Sequence, residues 1–257
     1  MKKSNENEKK RVWGKNISIN DTQEFFEKRI EKHLPHRYNY VMYQDDNPEL
    51  AIERDRYEKA KFINWLNIKS NSRVLDIGCG VGRWADTIAP MISDGDYIGV
   101  DFSYSLLGLA KEVFKSNSNC HFYQGSFQEL KQVLKKNNQQ KLYNSILING
   151  VLMYINDDDI EKCLSNAKEY MAPGGVIYIK ESVGVGERLT LNKFYSKEMK
   201  AEYSAIYRDI EQYSEIFSRI FDEKSGFSVL NSGHTWETQY SNRKETSSYF
   251  WIIKFQG

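Results

Sequence analysis

A short apolar run that breaks into alternating glycines is the feature that most constrains this chain. The run begins at Arg73, and the glycines are Gly78, Gly80 and Gly82. Glycine adopts positive φ angles and lets a ligand approach the backbone without meeting a Cβ atom. A helix that follows such a turn points its free N–H groups at the ligand. The segment therefore predicts a strand that leads into a nucleotide-binding turn.

An acidic residue follows at the distance expected of a ribose-binding side chain. Asp101 ends the next apolar run, about 20 residues after the glycines, where a carboxylate hydrogen-bonds the ribose diol in dinucleotide-binding folds. Together the turn and Asp101 predict a site for a cofactor that contains adenosine. Taken singly, each has a plainer interpretation: a tight connection between strand and helix, and an acid at a helix N-terminus.

The glycine spacing leaves two types of cofactor open. Read from Gly80, Gly-x-Gly-x-x-Ala ends at Ala85, which the relaxed dinucleotide pattern allows, and this favours an NAD(P)-dependent oxidoreductase. Read as Asp76-x-Gly78-x-Gly80-x-Gly82, the segment resembles the first motif of class I S-adenosylmethionine-dependent methyltransferases. In that family the turn lies against the methionine part of the cofactor.

Three later segments resemble the same family in the same order, so the resemblance extends over roughly residues 55–181. Segment 120–127 resembles the third strand, whose end brackets the adenine, and 143–154 resembles the fourth strand and the turn beneath the sulfonium. Segment 171–180 resembles the connection into the fifth strand, where Pro-Gly-Gly ends a helix. The resemblance implies cofactor contacts from Asp76, Gly78, Cys79, Gly80, Gly82, Asp101, Phe102, Ser126, Phe127, Asn149 and Gly150.

The adenine end departs from the family pattern. Many members have Asp where this chain has Ser126, so a serine hydroxyl or the backbone at Phe127 has to replace the usual carboxylate contact to the adenine amino group. Phe127 and Phe102 also suit core packing beside parallel strands. For Phe102 the resemblance adds stacking on adenine as the alternative.

The order of the apolar segments predicts an α/β fold. Strands near residues 73, 96, 120, 144 and 175 alternate with helical segments, which indicates a mostly parallel sheet with helices on both faces. Two final strands follow, and the resemblance implies that they form an antiparallel hairpin, which completes the seven-stranded, doubly wound sheet of the Rossmann-like methyltransferase fold. We expect a disordered tail (1–17) and one methyltransferase domain (18–257) made of N-terminal helices (18–68), a cofactor-binding half (69–181), a helical lid (182–222) and final strands (223–257).

The insertion after the fifth strand is rich in tyrosine and lacks a continuous apolar pattern. We expect a helical lid whose aromatic rings close over a polar acceptor and exclude water, with the rest of the rings packed on the sheet. Tyr207 and Arg208 are the preferred acceptor contacts. Arg243 is a further candidate for an anionic acceptor, and Tyr43 belongs to a segment that resembles small-molecule methyltransferases of bacterial surface-polysaccharide and natural-product pathways.

Methyl transfer from a sulfonium makes few demands on the protein, because alignment alone lowers a barrier by as much as about 7 to 11 kcal/mol. An oxygen acceptor must nevertheless lose a proton. The candidates to receive it are His234, Glu181 and Tyr154, which lie near strand ends where open α/β sheets bind ligands. Histidine is the side chain that most often serves as a general base, and the alternative interpretation of His234 is an exposed loop histidine.

Composition excludes several classes of protein. The formal net charge of +1 gives no overall attraction to nucleic acid. No apolar stretch approaches the roughly 20 residues that span a bilayer, and no segment resembles the apolar core of a signal peptide, so we expect a cytoplasmic protein without a membrane partner. The cysteines are scattered and lack metal-ligand spacing, so no metal is expected.

We therefore expect an S-adenosylmethionine-dependent methyltransferase that is a monomer or homodimer and releases S-adenosylhomocysteine. The expected acceptor is an oxygen, or else a nitrogen, of a small polar metabolite such as a sugar nucleotide, phosphate or phosphoramidate. Two alternatives are an NAD(P)-dependent oxidoreductase and a non-catalytic adenosylmethionine-binding module. An aminopropyltransferase is a further one, although it normally presents an acidic residue where this chain has Asn149.

Overall fold

A seven-stranded sheet lies at the centre of the protein, which a computed structural model describes over residues 16–257. The strands are β1 (Arg73–Ile77), β2 (Asp96–Asp101), β3 (Cys120–Gln124), β4 (Tyr143–Asn149), β5 (Met171–Gly184), β8 (Phe227–His234) and β9 (Thr246–Phe255), in the order β3-β2-β1-β4-β5-β9-β8. Strands β1 to β5 are parallel, and β9 is antiparallel to β5 and β8. The predicted mostly parallel sheet with an antiparallel C-terminal hairpin is confirmed.

Helices cover both faces of this sheet. They are α1 (Ile19–Arg29), α2 (Asn39–Met42), α3 (Pro48–Phe62), α4 (Ala85–Ile88), α5 (Tyr104–Val113), α6 (Leu130–Lys136), α7 (Asp157–Lys168) and α8 (Ile210–Ile220). Because side chains alternate along a strand, Leu75 packs in the cluster covered by α6, α7 and α8, while Val74 packs in the cluster covered by α3 and α5. None of the helices within residues 16–257 is long and apolar enough to cross a membrane.

The strand order places a crevice at one edge of the sheet. The chain moves outward from β1 to β3 and then returns to β4 on the other side of β1. In open α/β sheets, ligands bind at the carboxyl ends of the strands where the order reverses in this way. The turns after β1, β2, β3 and β4 therefore meet at one edge, which we call the cofactor edge.

The N-terminal segment is tied to this edge. The Glu27 carboxylate accepts hydrogen bonds from the N–H groups of Tyr104 (2.8 Å) and Ser105 (3.0 Å) at the start of α5. The Asn156 side chain exchanges two hydrogen bonds with the backbone of Ile17, which is buried. The folded domain thus includes Ile17, so the predicted tail 1–17 extends too far; residues 1–15 lie outside the described part of the chain.

The insertion after β5 differs from the predicted helical lid. Its first part is a two-stranded antiparallel sheet of β6 (Leu189–Ser196) and β7 (Ala201–Tyr207), and only its last part is helical, as α8. The helix prediction for residues 182–222 is therefore wrong over 189–207. The two strands contain threonine, isoleucine and several aromatic residues, which fit the half-buried surface of a hairpin. We call β6, β7 and their connection the lid hairpin.

Candidate active site

A cavity of about 210 Å³ lies at the cofactor edge. Every residue predicted to contact the cofactor lines it, with the exception of Gly82. Its walls are formed by the turns that follow four strands, together with Ile19, Thr22 and Phe26 of α1. The structure thus brings together the residues that the sequence motifs predict for one ligand.

The glycine turn after β1 is held by its backbone. Gly78, Gly80 and Gly82 have φ angles of 73°, 52° and 73°, in the region that side chains rarely adopt. A Cβ atom on Gly82 would lie 2.8 Å from the ring of Phe114. Gly82 therefore serves the conformation and packing of the turn, and its predicted contact with a cofactor is corrected.

Two carboxylates lie in the wall of the cavity. Asp101 accepts hydrogen bonds from the N–H groups of Gly80 (2.8 Å) and Ser103 (2.9 Å), and burial raises its pKa to about 6. The Tyr97 hydroxyl donates to the Asp76 carboxylate. Burial raises the pKa of Asp76 to about 7. Asp101 is fixed by backbone groups on one side and retains lone pairs for ligand hydroxyls on the other.

The turn after β4 leaves polar atoms without partners. Both the oxygen and the nitrogen of the Asn149 amide are buried and have no hydrogen-bond partner within residues 16–257. Gly150 has a φ of 69°, and a Cβ atom there would meet nothing within 4 Å. Since a buried unpaired amide is costly, this cavity suits a ligand that supplies the missing hydrogen bonds. The residues present therefore fit an adenosyl cofactor.

The turn after β3 uses its serine internally. The Ser126 N–H (3.3 Å) and hydroxyl (2.9 Å) both donate to the Glu129 carboxylate. Phe127 is buried in the main core and also reaches the cavity wall. Phe102 packs edge-on against Phe26 at 5.6 Å and lines the cavity as well.

A second cavity, of about 260 Å³, adjoins the first. It lies beneath the lid hairpin and the segment 241–248. The two cavities share the lining residues Met42, Tyr43, Arg54, Met153, Ser182, Trp236 and Ser248. A ligand in one cavity is therefore in reach of a ligand in the other.

A chain of four tyrosine hydroxyls runs along the boundary between the cavities. Tyr154 lies 3.0 Å from both Tyr43 and Tyr203, and Tyr207 donates to Tyr203 at 3.1 Å. Burial raises the pKa of all four, for Tyr207 to about 12, so they are neutral at pH 7. Tyr43 lines both cavities, Tyr154 the first and Tyr207 the second. A neutral Tyr154 is a hydrogen-bonding group and not a ready proton acceptor.

The other two predicted proton acceptors lie away from both cavities. Glu181 is fully buried, and its carboxylate accepts from the N–H groups of Val151 (2.9 Å), Leu152 (2.9 Å) and Met153 (3.3 Å). Burial raises its pKa to about 7. Glu181 therefore shapes the turn after β4, and its predicted role as a base is corrected.

His234 is the second correction of this kind. The residue is exposed, its ring packs edge-on against Tyr249 at 5.2 Å, and it lines neither cavity. Its backbone carbonyl accepts a hydrogen bond from Lys61 (3.2 Å). The interpretation as an exposed histidine is the one that the structure supports, because β8 is the edge strand of the sheet.

The two arginines that were predicted to contact the acceptor lie in different places. Arg208 is fully buried and pairs with Asp157 at 2.7 Å. It also donates to the carbonyls of Leu152 (2.9 Å) and Ile155 (2.7 Å) in the turn before α7. Arg208 therefore holds the end of β7 against this turn and lines neither cavity. Arg243 lines the second cavity, where it pairs with Glu198 at 2.6 Å. The Arg208 prediction is thus wrong in its role.

Sequence reasoning missed Arg54, a residue of α3 that lines both cavities. Its side chain is 7% exposed and donates to the Tyr240 carbonyl (2.9 Å) and the Asn242 side chain (2.9 Å). Within residues 16–257 it forms no ion pair with a carboxylate, and burial lowers its pKa to about 10. No local motif marks it, because its surroundings come from a loop almost 190 residues away.

Other buried cations beside the cofactor cavity are neutralised. Arg83 pairs with Asp55 (2.7 Å) and Glu58 (3.1 Å), and Lys180 pairs with Glu58 at 2.8 Å. Although burial alone would raise the pKa of Glu58, the charges of Arg83 and Lys180 lower it to about 2. Arg54 differs from them in having only neutral hydrogen-bond partners.

Comparison with known proteins agrees with this geometry. Residues 68–238, more than half of the chain, match a family described as methyltransferase domain. The chain belongs to this family. Phosphoethanolamine N-methyltransferase 1 of Triticum aestivum is 24% identical over 170 residues, which cover 64% of this chain and 32% of the plant protein. The putative methyltransferase 235L of Invertebrate iridescent virus 6 is 26% identical over 190 residues, covering 71% of this chain and 67% of the viral protein.

Among solved structures, phosphoethanolamine N-methyltransferase 1 of Haemonchus contortus, in complex with phosphoethanolamine and S-adenosylhomocysteine, shares the fold. The TM-score is 0.67 at 20% identity, over 90% of this chain and 48% of the nematode protein. This methyltransferase thus spans about a third of the plant relative and about half of the nematode one. The predicted family and Rossmann-like fold are confirmed, and the oxidoreductase interpretation of Ala85 is not supported.

Proposed function

We propose that this methyltransferase uses S-adenosylmethionine to methylate a small anionic metabolite held in the second cavity. The observation that carries the proposal is the junction of two contiguous cavities at Arg54, a buried guanidinium without a carboxylate partner among the described residues. A buried charge needs a counter-charge, and here the ligand would supply it.

The first cavity suits the cofactor. Asp101 is placed for the ribose hydroxyls, the backbone of Gly78 to Gly80 for the methionine part, and the unpaired amide of Asn149 for polar atoms near the reacting centre. S-adenosylhomocysteine bound to the Haemonchus contortus enzyme supports the same ligand class. When bound, S-adenosylmethionine supplies an electrophilic methyl group.

The second cavity suits an acceptor that carries a phosphate or carboxylate. Arg54 and Arg243 offer guanidinium groups, which bind such anions through paired N–H donors. The names of the relatives, phosphoethanolamine N-methyltransferases, support a phosphate joined to an amine. Sugar nucleotides and phosphoramidates belong to the same class of anionic acceptor.

Of the two acceptor atoms left open by the sequence, nitrogen is the better match. The polar groups at the boundary of the cavities are the hydroxyls of Tyr43, Tyr154 and Tyr203, whose raised pKa values keep them neutral. Neutral hydroxyls orient an acceptor by hydrogen bonds without removing a proton from an alcohol. An amine that enters as the free base needs only that orientation, and alignment supplies much of the rate.

The cofactor is tested by thermal unfolding of the protein with S-adenosylhomocysteine, S-adenosylmethionine, NADH and NADPH in parallel. A ligand at 100 times its Kd adds about 2.7 kcal/mol, which raises Tm by several degrees for a chain of this size. We expect a shift with the two adenosyl sulfur compounds alone. A shift with a nicotinamide alone would contradict the proposal.

The acceptor is tested by following S-adenosylhomocysteine release with matched pairs of compounds. Phosphoethanolamine against ethanolamine, and glycerol phosphate against glycerol, separate the need for an anion from the choice between nitrogen and oxygen. We expect turnover with phosphoethanolamine and little with ethanolamine, which lacks the phosphate. Equal turnover of both members of each pair would overturn the anionic assignment.

A further inference from the structure

The side chain of Gln128 carries a buried oxygen atom at the cofactor cavity. The residue lies in the short turn of Phe127–Glu129 after β3 and lines this cavity. Its Oε1 atom is buried and has no hydrogen-bond partner within residues 16–257. A buried amide oxygen without a partner is costly, so its retention at a cavity wall points to a ligand.

The side chain of Ser126, at the position of the usual adenine-binding carboxylate, is hydrogen-bonded within the protein. Ser126 stands where many family members have Asp, and its N–H and hydroxyl both donate to Glu129. This arrangement fixes the turn and directs the serine proton away from the cavity. Gln128 is therefore the side-chain amide of this turn that is free to pair with a ligand.

The turn after β3 lies beside Asp101, where it can be reached by a nucleobase whose ribose binds at that residue. Asp101 ends β2, and the N–H of Gly125 donates to its carbonyl at 2.9 Å. Adjacent strands lie about 4.8 Å apart, so a ligand whose ribose binds at Asp101 reaches the turn after β3 with the group attached to the sugar. On the opposite side its tail reaches the glycine turn after β1 and Asn149 after β4.

We propose that Gln128 recognises the adenine ring of the cofactor by accepting a hydrogen bond from its exocyclic amine, in place of the missing carboxylate at position 126. The inference rests on the proposed function, since it requires an adenosyl cofactor in this cavity. Glutamine carries an acceptor and two donors on one amide, so it pairs with the amine and the adjacent ring nitrogen of adenine.

A change of the base distinguishes hydrogen bonding by the Gln128 amide from simple packing of its side chain. Replacing adenine by unsubstituted purine removes the exocyclic amine and leaves the adjacent ring nitrogen as an acceptor. The amide oxygen of a glutamine then loses its hydrogen-bond donor, whereas a methionine forms no hydrogen bond with either base. Selectivity between the two bases therefore reports on the side chain at position 128.

The experiment is calorimetric titration of S-adenosylhomocysteine and its purine analogue, which lacks the 6-amino group, into the wild-type protein, Gln128→Met and Gln128→Glu. We expect Gln128→Met to weaken S-adenosylhomocysteine binding about fivefold to tenfold and to weaken the purine analogue less than about threefold, because the contact with the amine is lost only in the first compound. Gln128→Glu keeps an acceptor for the amine, so it should retain the wild-type preference for adenine over purine, which Gln128→Met should lose. Gln132→Met, on the exposed face of α6, is the matched control and should change neither affinity.

The outcomes separate the two proposals. If the wild-type protein binds S-adenosylhomocysteine and Gln128→Met binds it equally well, Gln128 does not contact adenine while the proposed function stands. An equal loss of both compounds in Gln128→Met, with an unchanged Tm, also overturns the adenine contact, because base selectivity is then untouched. If the wild-type protein binds no adenosyl compound, the proposed function itself fails.

Discussion

The two cavities of this methyltransferase are assembled from the sequence in different ways. The walls of the cofactor cavity come mainly from turns that directly follow β1, β2, β3 and β4, so each contributes a short continuous segment. The second cavity is made by α2, α3, the lid hairpin and the segment 241–248, which are far apart in the chain. Local motifs therefore predict the first cavity, and only the folded chain reveals the second.

The cavities also differ in how charge is balanced. Arg83 and Lys180 beside the cofactor cavity are paired with Asp55 and Glu58 inside the protein. Among the described residues, Arg54, at the boundary with the second cavity, has only neutral hydrogen-bond partners. Under the proposed function, the anionic acceptor supplies the counter-charge of Arg54.

The largest expected effect concerns the cofactor cavity alone. Asp101→Ala removes two hydrogen bonds from ribose hydroxyls to a charged group, so affinity for S-adenosylhomocysteine should fall by about 3 kcal/mol, more than a hundredfold. Calorimetric titration measures it. Asp46→Asn, an exposed acid, is the control. Unchanged affinity in Asp101→Ala would mean that the ribose lies elsewhere, and the division into two cavities would have to be redrawn.

The next effect should be confined to the second cavity. Arg54→Met removes the unpaired guanidinium, and we expect KM for an anionic acceptor to rise about thirtyfold to a hundredfold, or about 2 to 3 kcal/mol. Affinity for S-adenosylhomocysteine should change less than threefold. Arg54→Lys keeps the charge and loses the paired donors, so its KM for the acceptor should lie between those of the wild-type protein and Arg54→Met.

A reversed pattern would break the comparison. If Arg54→Met binds S-adenosylhomocysteine a hundredfold more weakly and leaves KM for the acceptor unchanged, Arg54 binds the carboxylate of the cofactor. Arg56→Met, at an exposed position of the same helix, controls for any change in helix stability.

These differences explain what the sequence could and could not predict. The strand order and the cofactor residues followed from glycine turns and apolar runs, which act through neighbouring residues. The lid hairpin was predicted as helix because its strands pair only with each other and lack the apolar periodicity of a buried strand. Glu181 is predicted as a base near a strand end and Arg208 as an acceptor contact in the insertion. Both instead hydrogen-bond backbone groups of the turn 151–155, and Arg208 also pairs with Asp157, which no spacing rule reveals.

A smaller effect tests the corrected role of Glu181. Glu181→Gln replaces one acceptor of the N–H groups of Val151, Leu152 and Met153 by a donor, so the free energy of unfolding should fall by about 2 kcal/mol. Urea unfolding measures it, with Glu53→Gln on the exposed side of α3 as the same chemical change. Full stability together with lost turnover would instead restore the role of Glu181 as a base.

The smallest expected effect is the pH dependence of cofactor affinity. Burial raises the pKa of Asp101 to about 6, and ribose hydroxyls donate to its ionised form. Binding therefore favours the carboxylate and releases protons near pH 6, so affinity for S-adenosylhomocysteine should fall as pH drops through 6. At pH 5 the loss is about tenfold, or about 1.4 kcal/mol.

Titrations in two buffers with different ionisation enthalpies measure this proton release directly. Asp101→Asn cannot ionise, so it should bind weakly and lose the pH dependence centred near 6, while Asp76, whose pKa burial raises to about 7, is retained. Affinity that instead rises as the pH falls would show that a protonated Asp101 donates to the ligand. The ribose contact would then be made by the neutral acid, and a buried carboxyl at the end of β2 would serve the cofactor as a donor, in the way that the neutral tyrosines serve the acceptor.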